Sequence, residues 1–162
     1  MIDPADASAL AELQRASYAG ARGVKSSWPE TDALDTDGIA ELLGRRRYCV
    51  LATARPDGRA HAAPVAFVVA GGAFWFGTVK GLRLRNLRAS PWASLVVMEG
   101  EGDEHVALTA EGPVSLHEGD QRDAAFEPLR ETWIEIHEHA PDWADALVEL
   151  HPERLFSYAA SR

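Results

Sequence analysis

Cysteine, long apolar runs and the features of a targeting segment are all scarce in this sequence of 162 residues. Cys49 is the only cysteine, so the chain cannot form an internal disulfide, and a reducing compartment is favoured. The residue lies in an apolar run at residues 48–52. A nucleophilic thiol would need an activating base, so we expect Cys49 to be a small buried hydrophobic side chain.

No apolar stretch approaches the roughly 18 residues that a membrane-spanning helix needs. Residues 1–6 are acidic and lack the basic start and apolar run of a signal peptide. The sequence therefore predicts a cytoplasmic protein with no membrane partner. Its length suits a single domain that buries a sizeable core.

The sequence also lacks the motifs that bind metal ions, those that bind dinucleotides and those typical of serine hydrolases. The sequence has no His-Glu-x-x-His or Cys-x-x-Cys spacing, and His137 and His139 would point in different directions from a helix. It also lacks Gly-x-Gly-x-x-Gly and Gly-x-Ser-x-Gly. We therefore expect no metal site. The missing glycine-rich motifs also argue against the Rossmann and α/β-hydrolase fold classes.

Acidic residues are distributed unevenly. Residues 118–153 hold eleven acidic residues against two arginines, whereas residues 58–98 hold no Asp or Glu. The formal net charge of −9 argues against a nucleic-acid-binding protein. A cationic stretch inside an acidic chain favours an anionic small-molecule ligand, and its cations are Arg59, Lys80, Arg83, Arg85 and Arg88.

Local patterns predict helices at the N-terminus and then a β-rich core. Helices are expected at residues 5–19, 38–46 and 82–89, and strands at residues 48–54, 59–69, 73–77, 92–99, 105–117 and 154–160. The acidic segment is expected to be helical. Leu129, Trp133 and Ile136 would form one apolar stripe, and Trp143, Leu147 and Leu150 another.

Strands joined by short turns, with one helical insertion, are typical of a barrel with peripheral helices. We expect one domain in four parts. These are N-terminal helices at 1–47, a barrel core at 48–117, an acidic helical insertion at 118–153 and a closing strand at 154–162.

The loop Thr78-Val79-Lys80-Gly81 leaves a strand and enters a short helix, where backbone N–H groups and the helix dipole favour anions. Thr78 adds a hydroxyl group, and Lys80 and Arg83 add full charges. Gly81 allows a ligand to approach the backbone. The pattern is that of a phosphate-binding loop, although a basic helix end on a solvated face would produce the same pattern.

Residues 48–98 resemble the pyridoxamine 5′-phosphate oxidase-like split-barrel family. The motifs occur in the family's order: Arg-Pro-Asp-Gly-Arg, His-Ala-Ala-Pro-Val-Ala-Phe, Gly-Gly-Ala-Phe-Trp-Phe-Gly-Thr, and Arg-Asn-Leu-Arg-Ala-Ser-Pro. Residues 109–116 and 150–158 resemble the family's later strands. The resemblance implies a mainly β fold: a split β-barrel of the FMN-binding type, with an N-terminal helical segment and a helical insertion before the last strand.

The resemblance also implies a homodimer with the cofactor at its interface. FMN is the expected cofactor, and an 8-hydroxy-5-deazaflavin coenzyme or haem is the alternative. The family's phosphate-binding positions correspond to Thr78, Val79, Lys80 and Arg83, with Arg85 within reach. The family's segment along the flavin ring corresponds to His61, Ala62, Ala63, Pro64 and Val65.

Two departures narrow the expected activity. Ala62 and Phe67 lie near the positions where pyridoxamine phosphate oxidases carry Arg and Lys, so the vitamin B6 reaction is not expected. Leu82 precedes Arg83 where the family often has Ser or Thr. The resemblance leaves three functions open: a flavin-dependent oxidoreductase acting on a small molecule, a deazaflavin-dependent reductase, or a non-catalytic dimer that binds flavin, haem or no cofactor. No residue is assigned as a catalytic acid or base.

Overall fold

A computed structural model describes residues 2–21, 23, 27–101 and 104–160. The α-helices are α1 (Pro4–Gly20), α2 (Thr36–Arg45), α3 (Leu82–Ala89), α4 (Asp120–Phe126) and α5 (Arg130–His137). Single 3-10 turns lie at Glu30–Asp32 and Glu127–Leu129. The strands are β1 (Tyr48–Ala54), β2 (Ala60–Ala66), β3 (Val68–Ala70), β4 (Ala73–Thr78), β5 (Trp92–Glu101), β6 (Glu104–Glu118), β7 (Ala146–Leu150) and β8 (Arg154–Ala160).

The strands pair antiparallel in the order β2-β1-β5-β6-β7-β4-β3, and β8 pairs with β6 beside β7. β2 leads directly into β3, so the two ends of this order are covalently joined and the sheet curls round a common core. The long strand β6 pairs with β5 through Pro113 and with β7 from Val114 onward. This is the split-barrel architecture that the sequence resemblance implies, with mostly β content and helices on the periphery.

The strand expected at residues 59–69 is divided at Phe67. β2 pairs with β1, whereas β3 pairs with β4, so the chain changes partner at this residue. The Phe67 amide donates to the carbonyl of Arg47 at 3.2 Å, and its buried ring lies 6.0 Å from the ring of Phe74. The break therefore turns one predicted strand into two strands that close the barrel.

Buried and more exposed residues alternate along β1 and β5, so that one face of each strand is buried. Cys49, Leu51, Leu95 and Val97 point into the core, which α1 and α2 help to cover. The Asp35 side chain caps α2 by accepting from the amide of Gly38 at 2.8 Å. The N-terminal helices and the barrel thus share one hydrophobic core.

The expected helical insertion at 118–153 requires correction. Only α4, the 3-10 turn and α5 are helical, and residues 146–150 form strand β7 between β4 and β6. Four of the five β7 residues are buried, because neighbouring elements cover both faces of the strand. Apolar spacing in such a strand does not differ from that of a buried helix. The helices therefore precede the last two strands, not only the last one.

The turn expected at residues 101–103 includes Gly102 and Asp103, which lie outside the described residues, as do residues 161–162 of the expected closing strand. Within the described ranges, no helix combines the length and apolar character needed to cross a membrane.

Candidate functional site

A cleft of about 560 Å³ opens where β2, the start of β1, α3 and α5 meet. Its volume lies within the roughly 300–1,000 Å³ typical of small-molecule sites. Neither Asp nor Glu is among the lining residues in the described part of the chain. The wall is cationic, aromatic and aliphatic, and consists of Arg47, Tyr48, Pro64, Val65, Ala66, Gly77, Arg83, Trp133, His137, His139 and Trp143.

Arg83 forms one end of the cleft. It lies in the first turn of α3, and the burial of Leu84 and Leu87 fixes the orientation of that helix. Its Nη1 donates to the Thr78 hydroxyl at 3.5 Å, and its buried Nε has no partner among the described residues. Burial lowers the pKa of the Arg83 guanidinium from its usual value, although arginine stays protonated at neutral pH. A half-buried cation with an unsatisfied donor has the character of an anion-binding group.

Trp143 lies over the same end. A Cβ on Gly77 would meet its indole ring at 3.0 Å. The glycine therefore allows the indole to pack directly on strand β4, where it gives the cleft a flat aromatic surface. Trp143 remains exposed on its other side.

The opposite end is formed by α5 and the start of β1. The His137 ring lies 5.1 Å from the Trp133 ring and 6.3 Å from the Tyr48 ring. Nε2 of His137 lies 3.0 Å from the Phe67 carbonyl oxygen. Because a carbonyl only accepts, this nitrogen carries the proton and Nδ1 does not. Burial lowers the pKa of His137, so its imidazole is neutral at pH 7.

Two further groups complete this end. Trp133 is only 1% exposed, and its indole N–H has no partner among the described residues. Nη1 of Arg47 lies 3.5 Å from Oε1 of Glu138, and both of these side chains are largely exposed. Two of the residues that line the cleft, Arg83 and Trp133, thus carry a buried N–H without a partner among the described residues.

The phosphate-binding positions expected from the sequence divide between two surfaces. Arg83 lines the cleft, whereas Lys80 and Arg85 line a separate open groove of about 440 Å³ with Gly81, Leu84 and Arg88. Thr78 is buried beside Arg83, and Val79 is exposed and lines neither surface.

The loop amide of Lys80 already has an anionic partner. It donates to the Asp145 carboxylate at 2.7 Å, and the Asp145 amide donates back to the Thr78 carbonyl at 3.0 Å. The expectation of a free backbone donor at this position is therefore wrong. The sequence places Asp145 more than sixty residues away, so no local pattern could show this contact.

The expected ring-binding segment does not reach the cleft along its whole length. Pro64 and Val65 line the cleft, although Pro64 lies with Ala62 on the outer face of β2 and Val65 lies on the inner face. His61 and Ala63 share the inner face, and Nδ1 of His61 is buried without a partner among the described residues. Only the last part of this segment reaches the cleft.

Sequence reasoning missed most of the aromatic and basic wall. The sequence predicts Trp133 and Trp143 only as members of apolar helical stripes, and it assigns no ligand-binding role to Arg47. Contacts between distant segments bring these residues together, and the sequence carries no local signal for them. The cleft residues concerned are Arg47, Tyr48, Trp133, His137, His139 and Trp143.

The sequence profile of the pyridoxamine 5′-phosphate oxidase family matches residues 35–159, which is more than half of the chain. The protein therefore belongs to this family. A comparison with curated proteins gives no match.

Solved structures confirm the fold. A conserved hypothetical protein from Mycobacterium tuberculosis aligns with a TM-score of 0.68 and 22% identity, over 81% of this chain and 89% of that one. A FAD-binding protein from Mesorhizobium loti aligns with a TM-score of 0.65 and 20% identity, over 80% and 96%. The heme storage protein HutZ from Vibrio cholerae aligns with a TM-score of 0.54 and 23% identity, over 75% and 92%.

Proposed function

We propose that the protein is a flavin-binding oxidoreductase that holds FMN in the cationic cleft. The observation that carries this proposal is Arg83, a half-buried cation without an acidic partner among the described residues and with an unpaired Nε. Arginine can bind a phosphate through two parallel hydrogen bonds. The FAD-binding protein of similar fold supports a flavin as the ligand.

The chain's own residues would bind and orient the cofactor. Arg83 would hold the phosphate, while Pro64, Val65 and Trp143 offer flat apolar surface to a planar ring. A bound flavin supplies reversible hydride transfer. The protein contributes position and exclusion of water, and we assign no side chain as a catalytic acid or base. A deazaflavin coenzyme with a phosphate group would satisfy the same residues.

We further propose that a second copy of the chain covers the cleft. The outward side of β2, β1 and β5 forms what we name the outer sheet face, which consists of Val50, Ala52, Ala62, Pro64, Trp92, Ser94, Val96 and Met98. No charged residue belongs to this face, and Val50, Trp92 and Met98 are 40%, 42% and 56% exposed. Tyr48 and Ala66 pair in register beside it and also line the cleft.

An uncharged sheet face that borders a ligand cleft fits a two-fold interface, because an apolar patch is complementary to its own copy. In that arrangement the partner would close the open side of the cleft over the cofactor.

The cofactor proposal predicts that Arg83→Gln weakens FMN binding by about tenfold to a hundredfold, the equivalent of about 1.5–3 kcal/mol for a hydrogen bond to a charged group. Quenching of FMN fluorescence on titration with protein measures the affinity. Arg88→Gln is the matched control, because Arg88 lies on the same helix, faces the separate groove and pairs with Glu118.

Equal affinity for FMN in the wild type and in Arg83→Gln would remove the phosphate assignment. The same titration with the deazaflavin coenzyme and with haemin decides among the cofactors. Saturation by haemin alone would overturn the flavin proposal.

A further inference from the structure

The sheet continues past the outer sheet face onto β6 and β8, and its far edge carries aromatic side chains. Phe156 and Tyr158 point outward from β8, because the alternating residues Leu155 and Ser157 are fully buried. The Trp28 indole stacks on the Tyr158 ring, with 6.0 Å between the ring centres and 25° between the planes. All three rings keep part of their surface exposed. The cleft lies at the opposite edge of this surface, beside β2.

The edge beside the cleft carries small side chains. The outward residues of β2 in this region are Ala62, Pro64 and Ala66. The five strands of the surface follow one another as β2-β1-β5-β6-β8, so β5 is the central strand. One edge is therefore bulky and aromatic, and the other is low and aliphatic.

This difference between the edges selects one way of pairing two copies. Two packed sheets keep their strand directions within about 30° of each other, so a two-fold axis runs either along β5 or across the strands. An axis along β5 sets the rings of β8 on the small residues of the partner's β2. An axis across the strands sets rings on rings and leaves the small residues apart. Close packing favours the axis along β5.

The strand registers place the aromatic pair level with the cleft along the strand direction. Tyr158 lies level with Met98, through the pairing of β8 with β6 and of β6 with β5. The register of β5 with β1, continued by two residues, brings Tyr48 to the same level, and Tyr48 pairs with Ala66. Tyr48 and Ala66 line the cleft. A rotation about β5 keeps this level, so it carries Trp28 and Tyr158 of one protomer to the partner's cleft.

Charge does not oppose this arrangement. Within residues 105–111 and 154–160, the acidic and basic side chains on the outward side are Glu111 and Arg154, and they pair with each other at 3.5 Å. They lie at the other end of β8 from Tyr158. The aromatic edge therefore brings no unpaired charge onto β2 of the partner.

We infer that Trp28 of each protomer forms a wall of the partner's cleft, where the free face of its indole stacks on the planar ring bound there. Tyr158 supports the indole from behind. The inference rests on the proposed function, which supplies the flavin and the second copy of the chain. Trp28 lies outside residues 35–159, which match the family profile, so the contribution comes from this chain's own N-terminal segment.

Quenching of FMN fluorescence on titration with protein measures the contribution of the indole. We expect Trp28→Ala to weaken FMN binding about tenfold, because one stacked ring is lost. Trp28→Phe keeps a ring and should recover most of the affinity. Thr31→Ala is the matched control, since Thr31 is exposed in the same segment, and it should bind FMN as the wild type does.

Mixed dimers show which protomer supplies the indole. When Arg83→Gln and Trp28→Ala protomers are combined, an indole from the partner leaves one cleft of each mixed dimer with both residues and the other cleft with neither. Random mixing should then restore wild-type affinity in about a quarter of all clefts. An indole that acts within its own protomer restores none.

A short bismaleimide cross-linker tests the orientation of the two copies without any ligand. Packed sheets lie about 10 Å apart, which such a reagent spans, and the natural Cys49 is buried and unreactive. A mixture of Tyr158→Cys and Ala66→Cys protomers should give covalent dimers, whereas each variant alone should give none.

Covalent dimers of either variant alone, or none from the mixture, would overturn the inference. Unchanged FMN affinity in Trp28→Ala, or no wild-type clefts in the mixed dimers, would overturn it while leaving the cofactor proposal intact. If the mixture cross-links as expected but the wild type binds no flavin, the cofactor proposal fails, and the placement of Trp28 at the partner's cleft stands.

Discussion

Cys49 is a buried thiol whose protonation is coupled to folding. Its side chain is 3% exposed, and burial raises the pKa of the thiol from 9.0 to about 12. In the unfolded chain the thiol ionises near its ordinary pKa, whereas in the folded protein it keeps its proton. Its contribution to stability is therefore fully present below about pH 9 and is lost as the pH rises towards about 12.

The coupling predicts a steeper alkaline loss of stability in the wild type than in Cys49→Ala. Above pH 9.0 the free energy of unfolding should fall by up to about 1.4 kcal/mol per pH unit more in the wild type than in the variant. Urea denaturation at a series of alkaline pH values measures both slopes. The alanine variant lowers stability at every pH through its lost volume, so the informative quantity is the slope. Identical slopes would contradict the burial argument.

The cationic stretch that contains Arg83 was predictable from the sequence, but the one of its charges that lines the cleft was not. Lys80 and Arg83 lie within one basic stretch, yet they line different surfaces, because packing of Leu84 and Leu87 fixes the rotation of α3. The Lys80 amide donates a hydrogen bond to the Asp145 carboxylate, so it is not free to bind a ligand. A local motif identifies the residue types that bind an anion, whereas tertiary packing selects the one that reaches the ligand.

Strand β6 changes its partner around Gly112, from β8 up to Glu111 to β7 from Val114 onward. The segment after β7 crosses β6 at this point, where the His151 amide donates to the Pro113 carbonyl at 3.0 Å and the Glu153 amide to the Glu111 carbonyl at 2.9 Å. A Cβ on Gly112 would overlap the carbonyl oxygen of His151. The glycine is therefore required by the close approach of two backbones.

This close approach predicts that Gly112→Ala destabilises the protein by about 2 kcal/mol or more, because the backbone must shift to admit the methyl group. Gly44→Ala is the control, since Gly44 lies in α2 and an added Cβ there would point into open space. That variant should be neutral or stabilise by up to about 1 kcal/mol. Thermal and urea unfolding compare the two, and equal stability of both variants would contradict the role of Gly112.

Most element boundaries could be predicted, because apolar residues recur with the period of a strand or of a helix where one face of the element is exposed. The predicted limits of β1 and α3 agree with the structure. Strand β7 could not be predicted, since it is buried on both faces and its apolar residues show no alternation. The division between β2 and β3 at Phe67 could not be predicted either. It arises because β2 pairs with β1 whereas β3 pairs with β4, and these partners are set by the tertiary fold.

In the whole molecule, the cleft borders one uncharged sheet face. The expected dimer would bury the outer sheet face and close the cleft with the partner. Val50 lies at the centre of that face, between Pro64 on β2 and Val96 on β5. A charge at this position would be buried without a partner in the dimer, which strongly disfavours association.

Sedimentation velocity of the protein with FMN, followed both in the ultraviolet and in the visible flavin band, tests the flavin-binding dimer directly. We expect one boundary in both bands, at twice the protomer mass. Val50→Asp should sediment as a monomer with little flavin. Ile134→Asp changes a similarly exposed apolar residue outside the face and should behave as the wild type. Flavin that fails to sediment with the protein, or that sediments with a wild-type monomer, would contradict the account.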